Sequence, residues 1–485
     1  MTTSATTGFC RVTIVAPDSR IDVALPEDIA VADVYPEILR LAGQTQPAGA
    51  PTGYHLVRMD GTVLDGNRSL IAQQIHDGEL LSLRPFAASL PPAVHDDVSD
   101  AIASAVTRDR TLWSDRFLRV GGLIGGALLL VLLGLVLWYA DPVRHDMHGL
   151  PGIVAGVLGL LLTALAAARA RVYEDRASAA ALGLAALPHV MIAGSGALPL
   201  DDGEGIGRLQ FMLGCAAVLL VSIVLVALMP TGDAPFVAAA FASAVGVLAM
   251  YGATVKEARP TETAAVCLVV AIGVIGFLPG LSTRVARLPI GYAAPSSTGD
   301  TDAPAASRAP GPDEAERIAA QARRGHELLL GLLAGCAAVV VASAIVLGFS
   351  GSTWAQVLAL TGGLAALLRA RLFRYTAQVV CLLVAGVLAL GMLILGLALN
   401  PPIDQVIDML QGHGKDMDVR TLWLSAAVAG GGALFTAIGL IVPKKGLTPF
   451  WGRVSDLAEG ALLLSLVPLC FAVLDLYTSV RSLTS

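Results

Sequence analysis

Few residues in this chain of 485 combine the types and spacing that catalysis uses. Gly412-His413-Gly414-Lys415-Asp416 comes nearest, as a fragment of a loop that cradles phosphate with backbone N–H groups and a lysine. It lacks the first glycine at the required spacing and the hydroxyl that would hold Mg²⁺. The other lysines, Lys256, Lys444 and Lys445, follow no such glycine pattern, so nucleotide hydrolysis is excluded. Proton or ion coupling would need ionisable groups near a membrane midplane, where they are costly and kept for a reason. His189, beside Pro188, is the one titratable side chain deep in an apolar run. With no carboxylate partner in that run, it reads as a packing histidine rather than a proton relay. Asp475, the Asp456/Glu459 pair and His326-Glu327 fall at the ends of apolar runs, where interfacial solvation accounts for them. No H-x-x-x-H or H-E-x-x-H spacing supports a metal site. Of the cysteines, Cys215, Cys267, Cys336, Cys381 and Cys470 lie in apolar runs and only Cys10 does not. None forms a C-x-x-C pair, so they read as small buried hydrophobes. Asn67-Arg68-Ser69 matches a glycosylation acceptor but lies in a segment read as cytoplasmic. The site assignment is therefore empty: no catalytic residue, no cofactor, no metal and no enzyme. A net charge of −6 without a basic, aromatic-interleaved patch gives no nucleic-acid partner.

The elements explain what the missing chemistry leaves. Residues 1–86 are read as a soluble domain. Val12 and Ile14, then Ile21, Val23 and Leu25, alternate at the period of a half-buried strand. Val31, Val34, Ile38 and Leu41 recur at helical spacing, with Asp33 expected as cap and Pro36 in the first turn. Segment 60–84, DGTVLDGNRSLIAQQIHDGELLSLR, has the turn, strand, short helix and last strand of a ubiquitin-like β-grasp domain, an α+β fold. No Gly-Gly tail follows, so the domain is a docking module fixed to what comes next and not a conjugated modifier. Residues 87–119 form a tether. In it Val94, Val98, Ile102 and Val106 mark a juxtamembrane amphipathic helix, and Trp113 and Phe117 stand beside Arg110, Arg116 and Arg119.

The rest is apolar to a degree that excludes a soluble globule, with 55% hydrophobic and 14% charged residues overall. Runs of about 20 apolar residues can cross a bilayer as helices. The expected spans are 120–140, 150–168, 177–198, 209–229, 235–254 and 262–280, then 327–348, 353–368, 376–399, 421–442 and 456–478. This is a polytopic all-α membrane domain of about eleven transmembrane helices, the first six in 120–280 and the rest in 327–478. A cytoplasmic loop, 281–326, separates them and ends in the charged helical stretch DEAERIAAQARRGHELL. The start of the chain carries no apolar signal-peptide region, so the N-terminus is expected in the cytoplasm. Arg169/Arg171/Arg176, Arg369/Arg371/Arg374 and Lys444/Lys445 then fall on the inner side, with Lys256 and Arg259 as exceptions. The positive-inside rule places the C-terminus outside, and the tryptophans fall at span ends as an aromatic belt.

Small residues are what the spans do contain. Gly121-Gly122 with Gly125-Gly126, Gly152/Gly156/Gly159, Gly331/Gly335 and Gly430-Gly431-Gly432 sit at spacings that let helix backbones approach closely. Packing within the bundle is the expectation for each, with contact between subunits as the alternative.

A ubiquitin-like domain, a tether and eleven spans in this order resemble the EccD family, the integral membrane component of type VII (ESX) secretion systems. The local pieces are Arg169-Ala170-Arg171 after the second span and STRVARLP (282–289) after the sixth. The ending SDLAEGALLLSLVPLCFAVLDLYTSVR, with Pro468, Tyr477 and Arg481, is the third. The resemblance implies an inner-membrane core complex in which an EccC-type ATPase supplies energy, alongside EccB and EccE. It also implies a second copy of the chain, the two enclosing a lipid-filled space. It carries no catalytic residues. The expectation is a non-catalytic scaffold subunit in the cytoplasmic membrane; the alternative is a small-solute or lipid permease with a regulatory ubiquitin-like domain.

Overall fold

Alternating apolar residues near the N-terminus form two antiparallel strands, β1 (Phe9–Val15) and β2 (Arg20–Pro26), with Val12 opposite Val23 and Ile14 opposite Ile21. Helix α1 (Val31–Leu41) and strands β3 (Tyr54–Arg58) and β4 (Leu80–Pro85) complete the unit. Sheet order is β2-β1-β4-β3, with β1 and β4 parallel at the centre. Val12, Ile14, Ile38, Leu56, Leu70, Leu81 and Leu83 are buried together. This is the expected ubiquitin-like domain. Asp60-Gly61 makes the expected turn, with Gly61 at φ +89° and Asp60 Oδ1 accepting from Thr62 N at 2.8 Å. The strand expected beyond it is reduced to a single bridge between Val57 and Val63.

The start of α1 differs from expectation. Its cap position is Ala30, not Asp33, and Pro36 lies inside the helix. The open N–H groups are met by tertiary bonds instead: Val31 N donates to Arg68 O at 3.1 Å and Ala32 N to Gly66 O at 2.8 Å. A loop distant in sequence does the work of a side-chain cap.

The computed structural model describes residues 8–16, 19–43, 54–85, 114–140, 146–200, 207–229, 232–286, 312–445, 448–477 and 481. It divides into two compact units, Met1–Trp113 and Ser114–Ser485. The amphipathic tether helix, Trp113 and the Pro/Ala/Ser-rich linker up to residue 311 lie outside the described residues.

Among the described residues the regular structure of the second unit is helical. It contains α2 (Asp115–Trp138), α3 (Leu150–Arg171), α4 (Arg176–Ser195), α5 (Arg208–Leu228) and α6 (Ala234–Lys256). There follow α7 (Pro260–Ile275), α8 (Leu278–Val285), α9 (Pro312–Gly348), α10 (Thr353–Arg369) and α11 (Thr376–Leu399). The last are the short α12 (Ile403–Leu410), α13 (Lys415–Lys445) and α14 (Pro449–Val473). Among the described residues, 10 helices are long and apolar enough to cross a membrane, or 11 if α7 and α8 count as one bent span.

The region of the sixth expected span, 262–280, is bent: α7 and α8 meet at 66°. The cause is in the Gly276–Gly280 stretch. Pro279 has no N–H for the carbonyl of Ile275, and its ring clashes there. Helix α9 runs the charged helical stretch and the span expected from 327 into one continuous helix. At 37 residues it is about 55 Å long, more than a bilayer core of about 30 Å, so its charged N-terminal part stands beyond the apolar layer. Helix α9 is central, packing on α6, α7, α8, α10 and α11. The largest core joins Leu268 and Ile272 of α7, Leu333 and Val340 of α9, Leu358 of α10 and Leu382 of α11.

Candidate functional site

Charged side chains are confined to the two ends of the bundle, and there they tie helices together. At the end where α2 begins, Arg119 pairs with Asp175 at 2.5 Å. Hydrogen bonds from Ser178, with smaller help from Arg119 and Arg169, hold the Asp175 carboxyl below its ordinary value. Asp233, fully buried at the head of α6, accepts from Arg324 Nη1 of α9 at 2.6 Å. Glu327, one turn along, accepts from Gly232 N at 3.1 Å. Arg369 and Glu459 form a pair at 3.5 Å with both side chains largely buried, and Arg371 reaches Asp456 at 3.0 Å. Glu459 is therefore a helix tie and not the solvated boundary charge expected from sequence. His326-Glu327 likewise faces neighbouring helices: the His326 ring sits edge-on to Tyr375 at 4.4 Å and its Nδ1 meets Gln378 Nε2 at 3.3 Å.

At the opposite end, Arg259 is held by Glu262 and by Asp475, each at 2.6 Å. One of the two basic residues that broke the charge bias is thus flanked by two carboxylates. Near that end the Tyr477 hydroxyl donates to the Pro468 carbonyl at 3.2 Å. Each pair joins helix ends that the connectivity puts on the same side, as a bundle with alternating spans requires.

Between these layers the interior is apolar. His189 has no exposed surface. Its Nδ1 lies 3.0 Å from the Ala185 carbonyl, and its Nε2 has no hydrogen-bond partner. It sits where α4 meets α2 and α3: a Cβ added at Gly134 would stand 3.3 Å from Pro188 and 3.9 Å from the imidazole. Among the described residues no three His, Cys, Asp or Glu side chains come together as a metal site would need.

The glycines divide into two classes that spacing did not separate. Gly152 and Gly159 are wedged against Met147 and Val190, and Gly331 and Gly335 against Val237 and Phe241 of α6. Close pairs without a G-x-x-x-G signature do the same: Gly194 on Gly214, Gly363 on Gly386 and Gly348 on Gly396. By contrast, Gly121, Gly122, Gly125 and Gly126 of α2 and Gly430, Gly431 and Gly432 of α13 have nothing within 4 Å of an added Cβ. The expected packing inside the bundle fails for these two groups. Helix α13 has no buried residue in its apolar window and α2 has 6%, against 50% in α9. Helix α13 is held near its start, where Arg420 Nη2 donates to Leu397 O of α11 at 2.6 Å.

A ubiquitin-like domain joined to a polytopic bundle with charged ends, an apolar interior and two helices with bare glycines defines a class: a multi-span membrane protein that carries a ubiquitin-like domain. The family model described as the EccD-like transmembrane domain matches residues 118–483. That of the WXG100 secretion-system protein YukD matches residues 9–83. The chain belongs to the EccD family, the integral membrane component of type VII (ESX) secretion systems. It is 26% identical to the ESX-4 secretion system protein eccD4 of Mycobacterium tuberculosis over 98% of both chains. It is 28% identical to the ESX-3 secretion system protein EccD3 of the same organism over 52% of both. Its fold resembles a chain of protomer 1 of the ESX-3 core complex, with TM-score 0.58, 20% identity and coverage of 97% and 100%. It also resembles a chain of the MycP5-free ESX-5 inner membrane complex, with TM-score 0.51, 21% identity and coverage of 88% and 99%.

Proposed function

We propose that this chain is a non-catalytic scaffold subunit of the inner-membrane core complex of a type VII secretion system. It organises the membrane assembly and docks the cytoplasmic parts of an EccC-type ATPase, with EccB, EccE and a second copy of itself as partners. The observation that carries this reading is the pair of helices α2 and α13: Gly121, Gly122, Gly125 and Gly126 of the first and Gly430, Gly431 and Gly432 of the second meet nothing among the described residues. Helices associate in a bilayer through close van der Waals contact at small residues, because lipid tails remove the hydrophobic drive. Unfilled glycine surfaces on exposed spans therefore suit contacts with other subunits. The apolar interior supports a scaffold over a coupled permease, which would need ionisable groups along its path.

The test is affinity purification of the tagged chain from its native membrane. A membrane ATPase is expected in fixed ratio. Gly122→Leu with Gly126→Leu is expected to leave the isolated subunit's melting unchanged but to lower complex recovery, at a cost of about 1–3 kcal/mol per interface. Undiminished recovery of the complex by the double variant would refute the assembly role of α2.

The orientation proposed is N-terminus inside and C-terminus outside. A reporter active only outside the membrane should work when fused after Ser485 and stay silent at residue 310. An inactive Ser485 fusion with expression confirmed would overturn it.

A further inference from the structure

At the end of the bundle where α2 begins, a cavity of about 910 Å³ opens among the ends of α2, α3, α4 and α5. Arg119, Arg169, Arg171 and Arg176 line it against two carboxylates, Glu174 and Asp175. The chain builds this cradle by a sharp reversal. Helix α3 ends at Arg171, Glu174 takes a left-handed φ of 52°, and Asp175 N donates back to Arg169 O at 2.9 Å. The last turn of α3 and the first of α4 thereby present their arginines to one space.

Asp175 is already engaged, capping α4 through Ser178 N at 3.3 Å and pairing with Arg119. The other three guanidinium groups keep donors to spare. Arg169 lies 4.9 Å from the centroid of the Tyr173 ring, and Arg171 spends one N–H on the Ala227 carbonyl at 3.1 Å. Arg176 has no ion-pair partner among the described residues. On α3, Leu165 lies one turn before Arg169 and Leu161 one turn further, both exposed on the same face. Three guanidinium groups with donors to spare thus stand over an apolar flank at the boundary of the membrane layer.

We infer that this cavity binds the headgroup of an anionic phospholipid, its phosphate held by Arg169, Arg171 and Arg176 and its acyl chains lying along Leu161 and Leu165. Guanidinium forks match phosphate oxygens two at a time, and basic pockets between membrane helices at the interface suit such headgroups. A free phosphate would meet the same arginines but would leave the apolar flank unused.

Native mass spectrometry of the full-length protein in detergent tests this, with phosphatidylglycerol and phosphatidylcholine of matched chains as probes. Phosphatidylglycerol should be retained over phosphatidylcholine by about tenfold, as several basic groups near an anionic headgroup each contribute a several-fold gain. Arg169→Gln with Arg171→Gln and Arg176→Gln should abolish that preference, while the three corresponding lysine substitutions should keep most of it. Equal retention of the two lipids, or an undiminished preference in the glutamine variant, would overturn the assignment. Displacement of the lipid by glycerol 3-phosphate as effectively as by added phosphatidylglycerol would reassign the cavity to a free phosphate and also sink it. Should the triple variant fail to fold, Arg176→Gln alone decides. Its guanidinium ties no helix, so a several-fold loss supports the site and an unchanged ratio refutes it.

Discussion

Gly396→Ala is expected to destabilise the membrane unit by about 1–3 kcal/mol, although alanine is the better helix former by up to about 1 kcal/mol. The added Cβ would stand 2.4 Å from the Gly348 carbonyl oxygen and 2.5 Å from its carbon. Both are backbone atoms, so no rotamer change relieves the clash, and α9 and α11 must move apart at their crossing. Gly431→Ala is the matched control: nothing lies within 4 Å of its Cβ, so the helix-propensity gain should stand and stability should hold level or rise slightly. Thermal unfolding of the two variants in the same detergent, followed by circular dichroism, gives the comparison. A Gly396→Ala protein as stable as the native one would mean that α9 and α11 are not in backbone contact.

Asp233→Asn is expected to cost about 2 kcal/mol. Removing one partner of a fully buried pair typically costs about 3–5 kcal/mol, but Arg324 keeps enough exposure to recover part of its hydration. Asp233 is fully buried and Arg324 is 36% exposed. Asparagine keeps the size but loses the charge that neutralises Arg324 and that suits the N-terminus of α6. Because the pair joins the first helices of the bundle to the central α9, loss should appear as earlier separation of the two halves. Protease sensitivity between α6 and α9 would report it alongside the melting temperature. Arg324→Met combined with Asp233→Asn should recover part of the loss: it removes both charges of this pair but leaves Glu327, 3.7 Å from Arg324, without its cation. A double variant that adds the two single losses in full would show that the pair is not coupled.

Much of this molecule was legible in one dimension. Whether a stretch such as 376–399 crosses a membrane depends on apolar length and composition, both of which are written in the chain. The half-buried sheet was readable for a similar reason, since alternation at Ile21, Val23 and Leu25 carries its own period. The break at Pro279 was readable too, from a missing N–H and a fixed ring, yet a hydropathy window passes over it because GFLPG is still apolar. The cap of α1 was not readable, because its partners, Gly66 and Arg68, lie some thirty residues away in sequence and meet it only through the fold.

By itself the sequence determined the two-part architecture, the near-complete set of spans and the family, because each rests on order, length and composition. Only the tertiary structure decided which glycines are seams and which are bare, that Asp233 and Glu459 are buried ties, and that α13 stands apart from the core. The physical reason is that lipid and protein interior are equally apolar. A membrane helix therefore carries no polar face to mark its partner side, and a glycine facing another helix has the same sequence as one facing lipid. Gly331 and Gly431 differ only in whether Val237 or open space lies opposite.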